Sequence, residues 1–202
     1  MPRLLQDAPG QAFERSTLGR RAWLRWALTA SALAGPLGLV CRVARASPRI
    51  GQPAPPLVLH ALDGTSISSK DLLGSVVIAT FWATWCEPCK EELPLLSAYA
   101  ASHAQAGLRV LGFSLNGPED LAAVRSVAAT LSFPVGLLGS DRVAGYGRIW
   151  KLPVSFTIDR AGRLVDNTWD DEQPAWTTAS LERVITPLLA QDVLGRSSST
   201  GT

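Results

Sequence analysis

The sequence predicts one α/β domain with a mixed central sheet flanked by helices. Two observations carry that expectation. From Val76 to Leu138, apolar runs alternate with helix-forming stretches in the order strand, helix, strand, helix, strand, the alternation of an α/β layer. After Pro153 a short strand, a turn and a returning strand form a hairpin instead of another crossover, so antiparallel pairs must join the parallel ones. At 202 residues and 47% hydrophobic, the chain can bury one core of about 150 residues with material left over.

The elements follow in order. Pro48 to Pro56 is proline-rich and extended. "PLVLHALDGTSISSKDLLG", Pro56 to Gly74, supplies a short apolar strand, an Asp63-Gly64 turn and a second short strand, a β-hairpin ahead of the main sheet. "VVIATFW", Val76 to Trp82, is almost continuously apolar and rich in β-formers. A strand buried on both faces reads this way, so it is placed at the centre.

Pro88 suits a first helical turn, and Lys90 to Ala106 carries good helix formers with Gly107 as a stop. Pro94 cannot donate to the Lys90 carbonyl, and a kink is expected there. "LRVLGFSL", Leu108 to Leu115, is a second buried strand; Pro118 to Thr130 is a helix opened by Pro118-Glu119-Asp120; "FPVGLL" is a short strand. Asp141 to Trp150 reads as a loop or short helix. Val154 to Ile158 and Leu164 to Thr168 then form a hairpin around Arg160-Ala161-Gly162, and a last helix covers Pro174 to Leu189 with Pro187 near its end. The tail, residues 193–202, has no apolar pattern and is expected to be disordered.

The front of the chain is of another character. Seven arginines precede Ser47 against Asp7 and Glu14 alone. "GRRAWLRWALTASALAGPLGLVCRVARASP", Gly19 to Pro48, gives a basic region, an apolar region from Trp26 to Val40, and a small-residue site at Ala44-Arg45-Ala46. That is the order of a secretory signal, with cleavage expected after Ala46. Arg20-Arg21 also resembles a twin-arginine signal, with Gly19 where Ser or Thr is preferred and Trp23 where Phe is usual. The alternative is an uncleaved membrane anchor. The apolar region, broken by Gly35, Pro36 and Gly38, falls short of the roughly 20 residues a spanning helix needs. The expected layout is a signal over 1–46, a domain over 47–192 and the tail.

From Ser47 onward, twelve Lys and Arg face fifteen Asp and Glu, a net charge of −3. Such a domain has no electrostatic footprint for nucleic acid. Val40 before Cys41 argues against lipidation, and Cys41 leaves with the signal. Cys86 and Cys89 remain. Their loop is too small to staple much chain, so a structural role is set aside.

Cys86 follows the central strand and its loop and directly precedes a helix. Its sulfur would face free N–H groups and the positive end of the helix dipole, which favour the thiolate. The thiolate is the species that attacks a disulfide. Cys89, one turn later, can reach Cys86 and resolve a mixed disulfide. A zinc site would need four ligands, and His60 and His103 have no ligand-like spacing to this pair. Neither histidine is given a role, and no metal or further cofactor is expected. Two inert core cysteines are the remaining alternative.

"FWATWCEPCKEELP", Phe81 to Pro94, resembles the active-site segment of the exported TlpA/ResA-type thiol:disulfide oxidoreductases, a thioredoxin-like family. The similarity runs from about Gly51 to Leu189 and includes "GQPAPPLVLHALDG". It implies a thioredoxin fold with an added N-terminal β-hairpin, and a cis-proline pair at Leu152-Pro153 whose backbone at Leu152 pairs with substrate. It also implies that Glu92, on the Cys89 face of the helix, is a buried acid that exchanges a proton with Cys89. The alternative for Glu92 is a solvated charge beside Glu91; Glu87 is expected to be exposed. Trp82 and Trp85 flank the approach to the sulfur, as loop packing or as an apolar surface for substrate. "KLPVSF" lacks the Thr-Thr common after the proline, and "SLNGPED" replaces an acidic strand end.

The resemblance implies an enzyme, a reductant of disulfides in periplasmic proteins, with apocytochrome c as one substrate. A membrane electron carrier would restore the pair, and the membrane would otherwise be met only through an uncleaved N-terminal segment. Alternatives stay open: an oxidase using the same cysteines, or a non-catalytic thiol-binding or chaperone-like module. A peroxidase ranks lower, because Ala83 stands where that pattern places threonine.

Overall fold

Val76–Trp82, seven residues with none exposed, form the strand on which the other elements are placed. The computed structural model describes residues 48–138, 143–169, 171 and 175–196. The expected signal, with Arg20, Arg21 and Cys41, lies outside the described residues, as do residues 197–202.

The order is β1 (Val58–His60), β2 (Ser66–Ser68), β3 (Val76–Trp82), α1 (Glu87–His103), β4 (Leu108–Ser114), α2 (Leu121–Ala128), β5 (Val135–Leu137), β6 (Val154–Ile158), β7 (Leu164–Asn167) and α3 (Thr178–Arg196). Five strands form one sheet in the order β5-β4-β3-β6-β7, with β1 and β2 as a separate pair. β3 is parallel to β4, which is parallel to β5, whereas β6 runs antiparallel to both β3 and β7. The mixed sheet and the added hairpin thus match the fold expected from the sequence. The hairpin turn is closed by Asp63 Oδ1, which accepts from Thr65 N at 2.9 Å and Thr65 Oγ1 at 2.7 Å. Gly64 there has φ 91°, a conformation open mainly to glycine.

Alternate residues of β3 enter two cores. Val76, Ile78 and Trp82 pack with Leu93 and Leu96 of α1, Val124 of α2, and Leu181 and Ile185 of α3. Val77, Ala79 and Phe81 pack on the opposite face with Phe113, Phe156 and the hairpin residues Leu57 and Leu59. All three helices therefore cover one face, and the hairpin covers the other.

Boundaries differ from the sequence reading where capping decides them. α1 begins at Glu87 with Cys86 as its N-cap and Pro88 in its first turn, as expected; it continues through Pro94 and ends at His103, short of Ala106. The helix expected from Pro118 divides into a 3-10 turn, Pro118–Asp120, and α2. α3 begins at Thr178, later than Pro174. Thr177 Oγ1 accepts from Ser180 N at 3.1 Å while Ser180 Oγ accepts from Thr177 N at 2.9 Å, a reciprocal cap that fixes the start. α3 passes Leu189 and ends at Arg196, with Pro187 inside it.

The sheet sets up one functional edge. Antiparallel pairing of Phe81 with Val154 brings the start of β6 to the end of β3. Pro153, joined to Leu152 by a cis peptide bond, therefore lies at the edge from which the chain runs to Cys86.

Arg160, in the β6–β7 turn, fastens the opposite edge. Its guanidinium donates to the carbonyls of Gly74 at 2.6 Å, Ala106 at 2.8 Å and Leu189 at 3.3 Å, tying the approach to β3, the end of α1 and α3. Arg160→Ala is expected to lower the unfolding free energy by about 2 kcal/mol, seen as a lower urea midpoint at unchanged slope.

Candidate active site

After Trp82 the chain makes a tight turn in which Cys86 N donates to Ala83 O at 3.1 Å, and Lys90 N then donates to Cys86 O at 3.3 Å. Cys86 is thus held at the N-cap of α1, with no side-chain cap of its own. Its sulfur is bonded to that of Cys89, S–S 2.02 Å with Cα atoms 5.3 Å apart. Cys86 is 5% exposed and Cys89 0%, so an incoming sulfur can meet only Cys86. Once the bond is reduced, the unpaired N–H groups of the first turn favour a thiolate at the helix start.

Glu92 is 2% exposed, whereas Glu91 beside it is exposed. The solvated alternative for Glu92 is therefore not the one found. Thr80 Oγ1 donates to its Oε1 at 3.2 Å, and Trp176 N donates to Oε2 at 2.9 Å. Burial pushes the carboxyl from 4.5 up to about 7, with the two hydrogen bonds pulling the other way. A group that changes charge near neutral pH is suited to proton exchange, and it sits one helical turn beyond Cys89 on the same face. Glu87 is exposed and pairs with Lys90 at 2.9 Å; an ion pair so open to solvent contributes little.

The two tryptophans separate. Trp82 is 1% exposed and belongs to the core, while Trp85 is 66% exposed. Leu152 is half-buried and Pro153 buried. Nearby in sequence, Trp150 is exposed and meets Trp169 edge-on at 5.6 Å between ring centroids.

Asn116 escaped the sequence reading. Its Oδ1 accepts from Thr84 N at 2.9 Å and Ser114 Oγ at 3.0 Å, and its Nδ2 donates to Thr84 Oγ1 at 2.7 Å and Asp120 Oδ2 at 2.9 Å. It pins the loop that delivers Cys86. The departure at "SLNGPED" was the available signal, since the residue after β4 neighbours the loop after the parallel β3. Neither histidine joins the site: His103 stacks on Tyr99 at 4.0 Å, and His60 is exposed on β1. Among the described residues no group of three or more His, Cys, Asp or Glu could hold a metal ion.

The raised pKa of Glu92 has a consequence for stability. Between 4.5 and about 7 the folded state keeps a proton that the unfolded chain releases, so stability falls as pH rises through that window. Below it both states are protonated and the stability is fully present; above it both are ionised and the loss is complete. Glu92→Gln removes the titration. Urea unfolding of the oxidised protein is expected to show the parent losing on the order of 3 kcal/mol more than the variant across this window. Parallel pH curves would mean that Glu92 is not held as a buried acid.

Residues 50–166 match the AhpC/TSA family. Over 138 residues the chain is 31% identical to thiol-disulfide oxidoreductase ResA of Bacillus cereus (strain ZK / E33L), covering 67% of this chain and 79% of that protein. It is 33% identical over 120 residues to ResA of Bacillus thuringiensis (strain Al Hakam), covering 58% of this chain and 68% of that one. In structure it is similar to a thiol:disulfide interchange protein of the thioredoxin family from Chlorobium tepidum TLS. The TM-score is 0.59 at 26% identity, over 71% of this chain and 99% of that one. With a cysteine pair at a helix start beside the end of a central strand, and with this likeness along most of its length, the chain belongs to the AhpC/TSA family as a TlpA/ResA-type thiol:disulfide oxidoreductase of the thioredoxin fold.

Proposed function

We propose that the enzyme is an exported reductant of disulfides in periplasmic proteins, with apocytochrome c among its substrates by resemblance. One observation carries the direction: the buried Glu92 carboxyl on the Cys89 face of α1. A carboxylate formed there near neutral pH opposes a thiolate close by. That disfavours the reduced pair and lowers its potential, the property of a reductant.

In this reading Cys86 thiolate attacks a substrate disulfide. The substrate S–S bond breaks, one substrate sulfur leaves as a thiolate, and the other is bound to Cys86. Cys89 then gives its proton to the Glu92 carboxylate and attacks Cys86 Sγ, releasing the second substrate sulfur. Two electrons have passed to the substrate, and the enzyme is left with the disulfide described above. Trp85, Leu152 and Pro153 hold the substrate chain: Trp85 through apolar contact and Leu152 through its backbone. A membrane electron carrier returns two electrons to the pair. Residues 1–46 act as the export signal or, if retained, as the anchor; among the described residues no helix is long and apolar enough to cross a membrane.

Equilibration with glutathione and thioredoxin buffers tests the direction. A potential near −270 mV, about that of thioredoxin, is expected; a value near −120 mV, about that of a strong oxidase, would reverse the assignment. The roles of the two cysteines are tested separately. Cys89→Ser is expected to accumulate a mixed disulfide with substrate on non-reducing gels, whereas Cys86→Ser is expected to form none. A function that survives Cys86→Ala would instead indicate a non-catalytic module.

A further inference from the structure

Among the described residues, the buried side-chain atoms without a protein hydrogen-bond partner include Trp82 Nε1, Ser155 Oγ, Thr157 Oγ1 and Trp176 Nε1. The strand register puts the two hydroxyls on the face of the sheet that Glu92 packs against. Thr80 lies directly opposite Ser155 on β6 and Gly112 on β4. Directly opposed residues project from the same face of a sheet, so the Ser155 hydroxyl lies on the face where Thr80 meets Glu92. Trp82 Nε1 lies over Gly112, 3.4 Å from the point a Cβ there would occupy. Trp176 is the residue whose N–H holds Glu92 Oε2.

The row continues outward. Thr157, two residues along β6, is on the same face and opposite Asp166 of β7. Asp166 is half-buried and sits within electrostatic reach of Asp171 and of Arg183 on α3. Hydroxyls and a carboxyl thus run from Glu92 across the sheet to its edge beneath α3. Buried polar groups in native proteins are satisfied by protein or by internal water, and such water needs two to four polar partners. This patch offers them.

We propose that Ser155, Thr157 and the two indole N–H groups hold internal water, and that this water with the two hydroxyls carries the Glu92 proton to Asp166 and solvent. The inference rests on the reading of Glu92 as the acceptor of the Cys89 proton. That proton needs a rear exit, since Glu92 is 2% exposed and a docked substrate covers the Cys86 side. Each hydroxyl or water accepts one proton and passes its own onward, Asp166 carboxylate receives the last and gives it to solvent, and no group is oxidised or reduced. Ser155 and Thr157 are positioning residues in this step.

Single-turnover reaction of the reduced protein with 5,5′-dithiobis(2-nitrobenzoate) separates the two chemical steps, because Cys86 releases the first thionitrobenzoate and Cys89 the second. It is run at a pH below about 7, so that Glu92 starts protonated and must first release its proton outward. Ser155→Ala and Thr157→Val are expected to slow the second release several-fold, with the first unchanged and a larger solvent deuterium isotope effect. Ser155→Thr is expected to restore the parent rate. Second release at the parent rate in both Ser155→Ala and Thr157→Val, with Glu92→Gln slow, would overturn the water path and leave the Glu92 role standing. A Glu92→Gln variant as fast as the parent would remove the underlying reading itself. The unsubstituted protein gives an independent check: nuclear Overhauser cross-peaks from water to the Trp82 and Trp176 indole N–H protons are expected. Their absence would overturn the path even if a variant failed to fold.

Discussion

A carboxyl group buried between a sheet and its helices is the constraint on which the site depends. Glu92 takes hydrogen bonds from Thr80 on β3 and from the backbone of Trp176 before α3, so one side chain of α1 joins three segments far apart in sequence. Removing such a group from water is unfavourable, and the two donors offset only part of that loss. A core chosen for stability alone would put a leucine there. The carboxyl fits a site in which stability is given up for a proton acceptor poised near neutral pH.

The sequence leaves two opposing influences on the cysteine pair unranked: a helix N-terminus that favours a thiolate and a carboxylate that opposes one. The geometry assigns them to different sulfurs. Cys86, at the N-cap and slightly exposed, is nearest the helix start; Cys89, fully covered, lies toward Glu92. In the proposed reading the attacking sulfur is thus the one whose charge is supported, and the resolving sulfur is the one beside the base proposed to take its proton, which suits it to act second.

β3 was readable to the residue because every position is buried, and a double-sided apolar run leaves nothing to confuse with an amphipathic helix. That same uniformity hid which face the helices cover, since Val76, Ile78 and Trp82 look no different from Val77, Ala79 and Phe81. The Asp63-Gly64 turn announced its hairpin through local chemistry. The start of α3 did not, because the reciprocal cap of Thr177 and Ser180 has serine where a capping box usually has glutamate or glutamine. Helical spacing put Glu92 on the Cys89 face, but only packing beneath α3 separates it from exposed Glu91. Asn116 was hidden for a related reason: its partners Thr84 and Asp120 meet it only once β3 and β4 are paired.

Trp82 and Trp85 look equivalent in the motif, and their separation bears on the substrate surface. The end of β3 turns Trp82 into the core, and the loop pinned by Asn116 leaves Trp85 at 66% exposure next to Cys86, the more accessible sulfur of the pair. Single exposed apolar residues are ordinary on a protein surface, so what marks Trp85 is its place in the loop that delivers Cys86. With Leu152 at the same edge supplying backbone groups, the proposed contacts are apolar area and main-chain hydrogen bonds. Neither depends strongly on side-chain sequence. On the proposed reading such a surface selects a partner by its accessible disulfide and extended chain, so specificity for any one protein has to come from residues beyond the immediate neighbourhood of Cys86.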